Sequence, residues 1–304
     1  MRYTFLFPGQ GSQKVAMAKD FFDASDFAKR RFDECNTILG RDLGTIIFNG
    51  PEEMLTQTQN TQPALFTVES IICDSLKEKG VVPTLAAGHS LGEYSALYAA
   101  EVFSFADGLR IVAKRGELMS RAGELRPGTM AAVIGLSKEK ILECLSTVTG
   151  TVVCANENSP DQTVISGDVS AVKDACEVLK KAGAKRAILL PVSGAFHSPL
   201  MEPLAGQFSE FIRPFAFKDA AFPVVANVTA KPETSAVAIK ELLVRQLTSP
   251  VRWVDTVAAI SAGDPGTCCE AGPGTVLAGL LKKCNAALNV VPCGTAANVY
   301  SLPG

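Results

Sequence analysis

Histidine is scarce, with only His89 and His197 in 304 residues, so a site built from several imidazoles around a metal ion is excluded. Cysteine offers no framework either. Its nine residues are odd in number, sparse for a disulfide scaffold and never spaced C-x-x-C, a usage that fits a reducing cytoplasm. Positive charge has no surplus, with 29 Lys plus Arg against 31 Asp plus Glu. No basic run is present to neutralise a phosphate backbone, and nucleic acid is not an expected partner. No window reaches the roughly 18 uninterrupted apolar residues of a spanning helix. The opening apolar run from Tyr3 to Phe7 is too short for a signal-peptide core, and the tail carries no lipidation box. A soluble, unprocessed, cytoplasmic monomer with no membrane partner is therefore expected.

What the chain does contain is a globular balance, 47% hydrophobic and 20% charged, which excludes disorder over most of its length. At about 150 residues per domain, it has room for one large domain or two modest ones. Tyr3 to Phe7 reads as a buried strand, followed by the loop Pro8-Gly9-Gln10-Gly11-Ser12 and a helix from about Val15 to Leu39. Gln62-Pro63 opens a helical pattern through Leu65, Val68, Ile71, Ile72 and Leu76 that Gly80 closes, and a strand follows at Leu85 to Ala87. Gly92 to Ala100 and Phe105 to Met119 read as helices.

The texture changes after Arg126-Pro127-Gly128. Strands at 129–134, 152–155, 163–166 and 186–190, with helices at 138–145 and 171–182, give β-α-β-β-α-β in roughly 65 residues, the ferredoxin-like order. The expected fold class is therefore α/β: a large α/β-hydrolase-like domain with a parallel sheet (1–124 and 193–304) and an inserted ferredoxin-like small domain (125–192). Later elements are helices near 204–213, 236–246, 254–262 and 274–283, with strands at 224–227 and near Cys268.

Gly88-His89-Ser90-Leu91-Gly92 matches G-x-S-x-G between an apolar strand and a helix, the context of a nucleophile elbow. Small flanking residues permit the sharp turn. The helix N-terminus and the Leu91 N–H can then stabilise an oxyanion beside the Ser90 hydroxyl. Serine needs a base, and His89, its immediate neighbour, should leave the turn in another direction and serve in packing. His197 instead sits in Ser193-Gly194-Ala195-Phe196-His197-Ser198, a loop after a strand, where α/β folds display catalytic groups.

Six blocks in series carry a resemblance across almost the whole chain. They are Pro8-Gly9-Gln10-Gly11-Ser12-Gln13, Gly88-His89-Ser90-Leu91-Gly92-Glu93, Lys114-Arg115-Gly116, Asn156-Glu157-Asn158-Ser159-Pro160, Gly194-Ala195-Phe196-His197-Ser198 and Glu270-Ala271-Gly272-Pro273-Gly274. The sequence resembles the malonyl-CoA:acyl carrier protein transacylases. The resemblance implies ping-pong transfer of malonyl from coenzyme A through a Ser90 ester to the phosphopantetheine thiol of acyl carrier protein, feeding fatty-acid synthesis. It implies His197 as the base, Gln10 and Leu91 N–H groups as the oxyanion hole, and a Gln246 backbone carbonyl orienting His197. It also makes Arg115 the malonyl carboxylate ligand, although an arginine there would by itself read as surface charge. Leu91 and Phe196 follow the malonyl-selective pattern, and Asn156 falls near the small-domain side of the cleft. No metal and no cofactor are implied beyond the coenzyme A thioester substrate and the carrier's phosphopantetheine.

Other readings remain beside this one. A free-standing polyketide malonyl transferase would use the same residues, a serine (thio)ester hydrolase could use the same elbow, and a catalytically silent carrier-docking subunit is a third. Gly272-Pro273-Gly274 lacks the Lys and Ser/Thr of a phosphate loop and reads as a tight turn. The pairs Lys185-Arg186 and Lys282-Lys283 read as solvated surface charge. The sequence departs from the family at Ala271 and at Cys268-Cys269, positions that bear on packing.

Overall fold

The computed structural model describes residues 1–192 and 194–303; Ser193 and Gly304, the first and last residues of the expected second large-domain segment, lie outside the described residues. In chain order the elements are β1 (Tyr3–Phe7), α1 (Lys19–Ala24), α2 (Asp26–Leu39), α3 (Leu43–Asn49), α4 (Glu52–Thr56), α5 (Thr58–Glu78), β2 (Leu85–Gly88), α6 (Gly92–Ala99), α7 (Phe105–Ser120), α8 (Ala122–Leu125) and β3 (Gly128–Ile134). There follow α9 (Lys138–Leu145), β4 (Val152–Ser159), β5 (Gln162–Asp168), α10 (Val169–Lys181), β6 (Arg186–Leu189), a 3₁₀ turn at Pro199–Met201 and α11 (Glu202–Ile212). The chain continues through β7 (Val224–Val225), β8 (Pro232–Glu233), α12 (Ala236–Gln246), α13 (Trp253–Ala262), β9 (Thr267–Glu270), α14 (Val276–Cys284), β10 (Val290–Pro292) and α15 (Ala296–Ser301).

Two sheets organise these elements. The larger has the order β10-β9-β1-β2-β7-β8 and is parallel throughout except for β8, which runs antiparallel to β7. All five residues of β1 are buried, as expected for a central parallel strand covered on both faces. Alternation then divides its side chains. Phe5 and Phe7 pack into the core beneath α5, α6 and α7, while Leu6 joins Trp253, Val257 and Leu281 on the other face. The β-α-β-β-α-β segment forms its own antiparallel sheet, β4-β5-β3-β6, the ferredoxin-like arrangement. Ala131, Val133 and Ile165 pack against Val172 and Leu179 of α10 on one face of it. Met130 and Val164, on the opposite face, join the core shared with the large sheet.

The structure corrects two helix expectations. The helix read from Val15 to Leu39 is two helices, because Ala16 and Ala18 take left-handed backbone angles and Ser25 is extended, its hydroxyl capping α2 at the Ala28 N–H. The helix read from Gln62 begins earlier, at Thr58, and carries Pro63 inside it. Proline removes the donor to the Gln59 carbonyl one turn back, and Arg41 Nη2 donates there instead at 2.9 Å. The strand read at 224–227 stops at Val225, which releases Asn227 for other work. No helix among the described residues is long and apolar enough to cross a membrane.

Candidate active site

β2 enters the turn at Gly88 and α6 leaves it at Gly92, with Ser90 between them at φ 52°. A Cβ on Gly88 would lie 1.9 Å from the Gly92 carbonyl carbon, and one on Gly92 would lie 2.0 Å from the Phe7 carbonyl oxygen. Close backbone approach is thus the reason both flanks are glycine. The left-handed serine is braced on both sides. Its N–H donates to Asn227 Oδ1 at 2.7 Å, Asn227 Nδ2 donates to the Gly88 carbonyl at 2.6 Å, and Gln246 Nε2 donates to the Ser90 carbonyl at 3.0 Å.

Ser90 Oγ lies 2.8 Å from His197 Nε2. The other ring nitrogen of His197, Nδ1, lies 2.8 Å from the Gln246 backbone oxygen. A carbonyl only accepts, so Nδ1 carries the proton and Nε2 presents its lone pair to the serine hydroxyl. Burial, and then the neighbouring Arg115 charge, pull the His197 pKa down to about 3, so the imidazole is neutral and its Nε2 lone pair is unprotonated. His197 also takes a left-handed backbone angle, φ 57°, so both reacting groups sit on strained turns.

Arg115, on α7, is fully buried. Its Nη1 donates to Gln62 Oε1 at 2.8 Å, its Nη2 donates to Gln246 Oε1 at 2.9 Å and to Ser90 Oγ at 3.0 Å, and its guanidinium lies 5.3 Å from the Tyr94 ring centroid. Its Nε has no partner. The surface-charge reading of this residue gives way to a buried cation aimed at the nucleophile.

Ser90, Arg115, His197, Gln10, Leu91, Phe196 and Asn156 all line one cavity of about 280 Å³ between the two sheets, whose small-domain wall includes Met130, Ala132 and Val164. A groove of about 820 Å³ adjoins it, sharing Gln10 and Val192. Among the described hydrogen bonds, none is donated by the backbone N–H of Gln10 or Leu91, and both residues line the cavity with Ser90. Gln246 does not line the cavity; it is fully buried behind it and touches His197 through its backbone carbonyl and Ser90 and Arg115 through its carboxamide. His89 does more than pack: its Nε2 is 2.8 Å from Asn158 Oδ1 and its ring leans on Trp253. After the Gly272-Pro273-Gly274 turn, the Leu277 and Ala278 N–H groups at the start of α14 are taken by the Glu270 carboxylate, as suits a tight turn rather than a phosphate loop. No group of three His, Cys, Asp or Glu among the described residues is placed to hold a metal ion.

Sequence reasoning missed Gln62, Asn227 and any role for Glu93. Asn227 carried a usable signal, a polar residue just past the carboxyl end of a parallel strand, where such folds place functional groups. Gln62 reads only as the opening of a helix and Glu93 only as the last residue of the Gly88-to-Glu93 block, and the fold turns them toward Arg115 and Gln246.

The two sheets, the inserted small domain and the serine turn define an α/β acyl transferase, and the family model described as the acyl transferase domain matches residues 4–298. A malonyl CoA-acyl carrier protein transacylase from Bacillus subtilis is 45% identical over 95% of this chain and 92% of its own length. The chain belongs to the malonyl-CoA:acyl carrier protein transacylase family. Among solved structures, an acyl-carrier-protein S-malonyltransferase from Bartonella henselae superposes with a TM-score of 0.96 at 40% identity, covering 99% of this chain and 98% of that one. A malonyl-transacylase in complex with its type II PKS acyl-carrier protein gives 0.95 at 41% identity, over 99% and 98%.

Proposed function

We propose that this chain transfers malonyl from coenzyme A to the phosphopantetheine thiol of acyl carrier protein through an ester on Ser90. As Ser90 Oγ attacks the thioester carbonyl, its proton moves to His197 Nε2 and a C–O bond forms. The carbonyl electron pair shifts to oxygen, where the Gln10 and Leu91 N–H groups receive it; each such donor is worth about 3 to 4 kcal/mol in the transition state. Collapse breaks the C–S bond, and His197 returns the proton to the departing coenzyme A thiolate. The carrier thiol then gives its proton to His197 and attacks the ester; a C–S bond forms, the C–O bond to Ser90 breaks, and His197 returns the proton to Ser90 Oγ.

Arg115 holds the malonyl carboxylate during both halves, and the Gln246 carbonyl keeps His197 in the Nδ1–H tautomer. Leu91 and Phe196 crowd any branch at the malonyl C2, and Asn156 forms part of the opposite wall. Every group in the scheme belongs to this chain or to its substrates, so it draws on no cofactor. The nine cysteines are free thiols, which supports action in the cytoplasm, and we assign a monomer with a large domain at 1–124 and 193–304 and a small domain at 125–192.

The observation that carries this reading is the pair of contacts on one oxygen, His197 Nε2 at 2.8 Å and Arg115 Nη2 at 3.0 Å from Ser90 Oγ. It is tested by incubating the protein with malonyl-CoA and holo carrier protein. Malonyl should appear on the carrier thiol with the wild type and be lost with Ser90→Ala; equal transfer by the variant would contradict the scheme. The relative that binds a type II PKS carrier favours a second reading, transfer to a polyketide carrier by the same residues, which parallel assays with carriers of both kinds separate.

A further inference from the structure

Beneath the serine turn lies a carboxylate that the transfer scheme does not use. Glu93, in the first turn of α6, is only 2% exposed, and one of its oxygens, Oε2, accepts from Gln246 Nε2 at 2.6 Å and from the Asn227 N–H at 3.1 Å. Those two partners are the residues that brace Ser90. Gln246 reaches furthest: its Nε2 also donates to the Ser90 carbonyl, its Oε1 accepts from Arg115, and its backbone oxygen faces His197 Nδ1. One residue therefore touches the nucleophile, the base and the substrate cation.

The carboxamide of Gln246 can do this in one orientation only. Turned by 180°, it would set its oxygen against the Ser90 carbonyl and against the Glu93 Oε2 that already accepts the Asn227 N–H, and its NH₂ against the Arg115 guanidinium. Two acceptor pairs and one donor pair would then clash in a buried site, where unpaired polar groups are costly. An acceptor at Glu93 selects the orientation that works.

We infer that Glu93 is a positioning residue, whose oxygen locks the Gln246 carboxamide and the Asn227 backbone and so holds Ser90, His197 and Arg115 in one reactive arrangement. The inference rests on the transfer scheme proposed above. Misplacement of a reacting group by about 1 Å costs on the order of 10²-fold in rate, which sets the effect to look for.

The test is time-resolved labelling of Ser90 with radiolabelled malonyl-CoA, in which the amplitude counts intact sites and the rate constant reads their geometry. Glu93→Leu should label nearly stoichiometrically but about 10²-fold more slowly than wild type. Glu93→Gln, whose amide oxygen can accept the same two N–H groups, should recover to within about threefold of wild type. A reduced amplitude with a wild-type rate per labelled site would mean that Glu93 serves stability alone, and would overturn the inference. So would Glu93→Gln as slow as Glu93→Leu. If Glu93→Leu does not fold, Gln246→Met removes the bridging carboxamide while keeping the backbone carbonyl; it should show the same slow labelling, and a wild-type rate there would again overturn the inference. Absence of label from wild-type Ser90 would instead overturn the transfer scheme itself, so the two failures are distinguishable.

Discussion

One nitrogen of Arg115, Nη2, stands 3.0 Å from Ser90 Oγ and 2.9 Å from Gln246 Oε1, so the group that would select the substrate already touches the nucleophile. An arginine buried without partners would make non-carboxylate acyl groups very costly to accept, by about 3 to 5 kcal/mol. Here the guanidinium keeps Gln62, Gln246 and Ser90 even without a carboxylate. What an acetyl group forfeits is nearer one charge-assisted hydrogen bond, at about 1.5 to 3 kcal/mol.

Malonyl should accordingly be preferred over acetyl by about 10- to 10²-fold in kcat/KM. Arg115→Ala should abolish that preference and leave Ser90 open to acylation by short acyl groups. Arg115→Lys should restore little of it, since an ammonium cannot span Gln62, Gln246 and a carboxylate with one planar fork. Competition between malonyl-CoA and acetyl-CoA measures the ratio, and equal use of both by the wild-type protein would refute the role given to Arg115.

The pH–rate profile should lack a histidine limb. With the His197 pKa near 3, its neutral form dominates far below the ordinary histidine range, so protonation of the base should not slow Ser90 acylation between pH 5 and 8. Arg115→Ala removes the second cause of the depression and should move the loss of activity to higher pH. Acylation rates of both proteins from pH 3 to 8 read the difference, and an inflection near 6.5 in the wild type would contradict it.

Much of the fold was readable because its local signals and its packing agree. β1 is an unbroken apolar run and proves to be a central parallel strand; Ser137 and Ser235 cap helices whose bounds, Lys138–Leu145 and Ala236–Gln246, match the apolar spacing. Ala16 and Ala18 gave no such warning, since alanine favours helix and only tertiary packing holds it at positive φ. Pro63 misled in the opposite direction: its interruption of the helix is tolerated because Arg41, distant in sequence, takes up the freed carbonyl. At the site, Ser90 and His197 could be read from their turns, whereas Gln62 and Asn227 matter through contacts with Arg115 and Ser90 that no local pattern encodes.

Stability should respond to Glu93 with a definite sign. Burial raises its pKa from 4.5 to about 7, so between these values the folded protein holds a proton that the unfolded chain has released. Its contribution is thus fully present below about pH 4.5 and is lost as the pH rises through 7. Glu93→Gln has no proton to lose, so its denaturation midpoint relative to wild type should rise between pH 5 and pH 8. A constant offset across that range would contradict the shift.

Phe196 forms one wall of the cavity, and its ring is wedged near Gly194, where an added Cβ would lie 2.7 Å from Phe196 Cε1. Phe196→Ser should open space for a methyl branch and raise methylmalonyl relative to malonyl transfer by about tenfold, in line with roughly 1 to 3 kcal/mol per methyl-sized group. Competition between the two thioesters measures this, and an unchanged ratio would remove Phe196 from substrate selection.

The most direct test of the account is to locate the covalent intermediate. Protein quenched after brief exposure to radiolabelled malonyl-CoA, without carrier protein, should carry label on the peptide containing Ser90, at one malonyl per chain, and adding holo carrier should discharge it onto the carrier thiol. Label on any other residue, or discharge to free malonate with carrier present, would contradict transfer through Ser90.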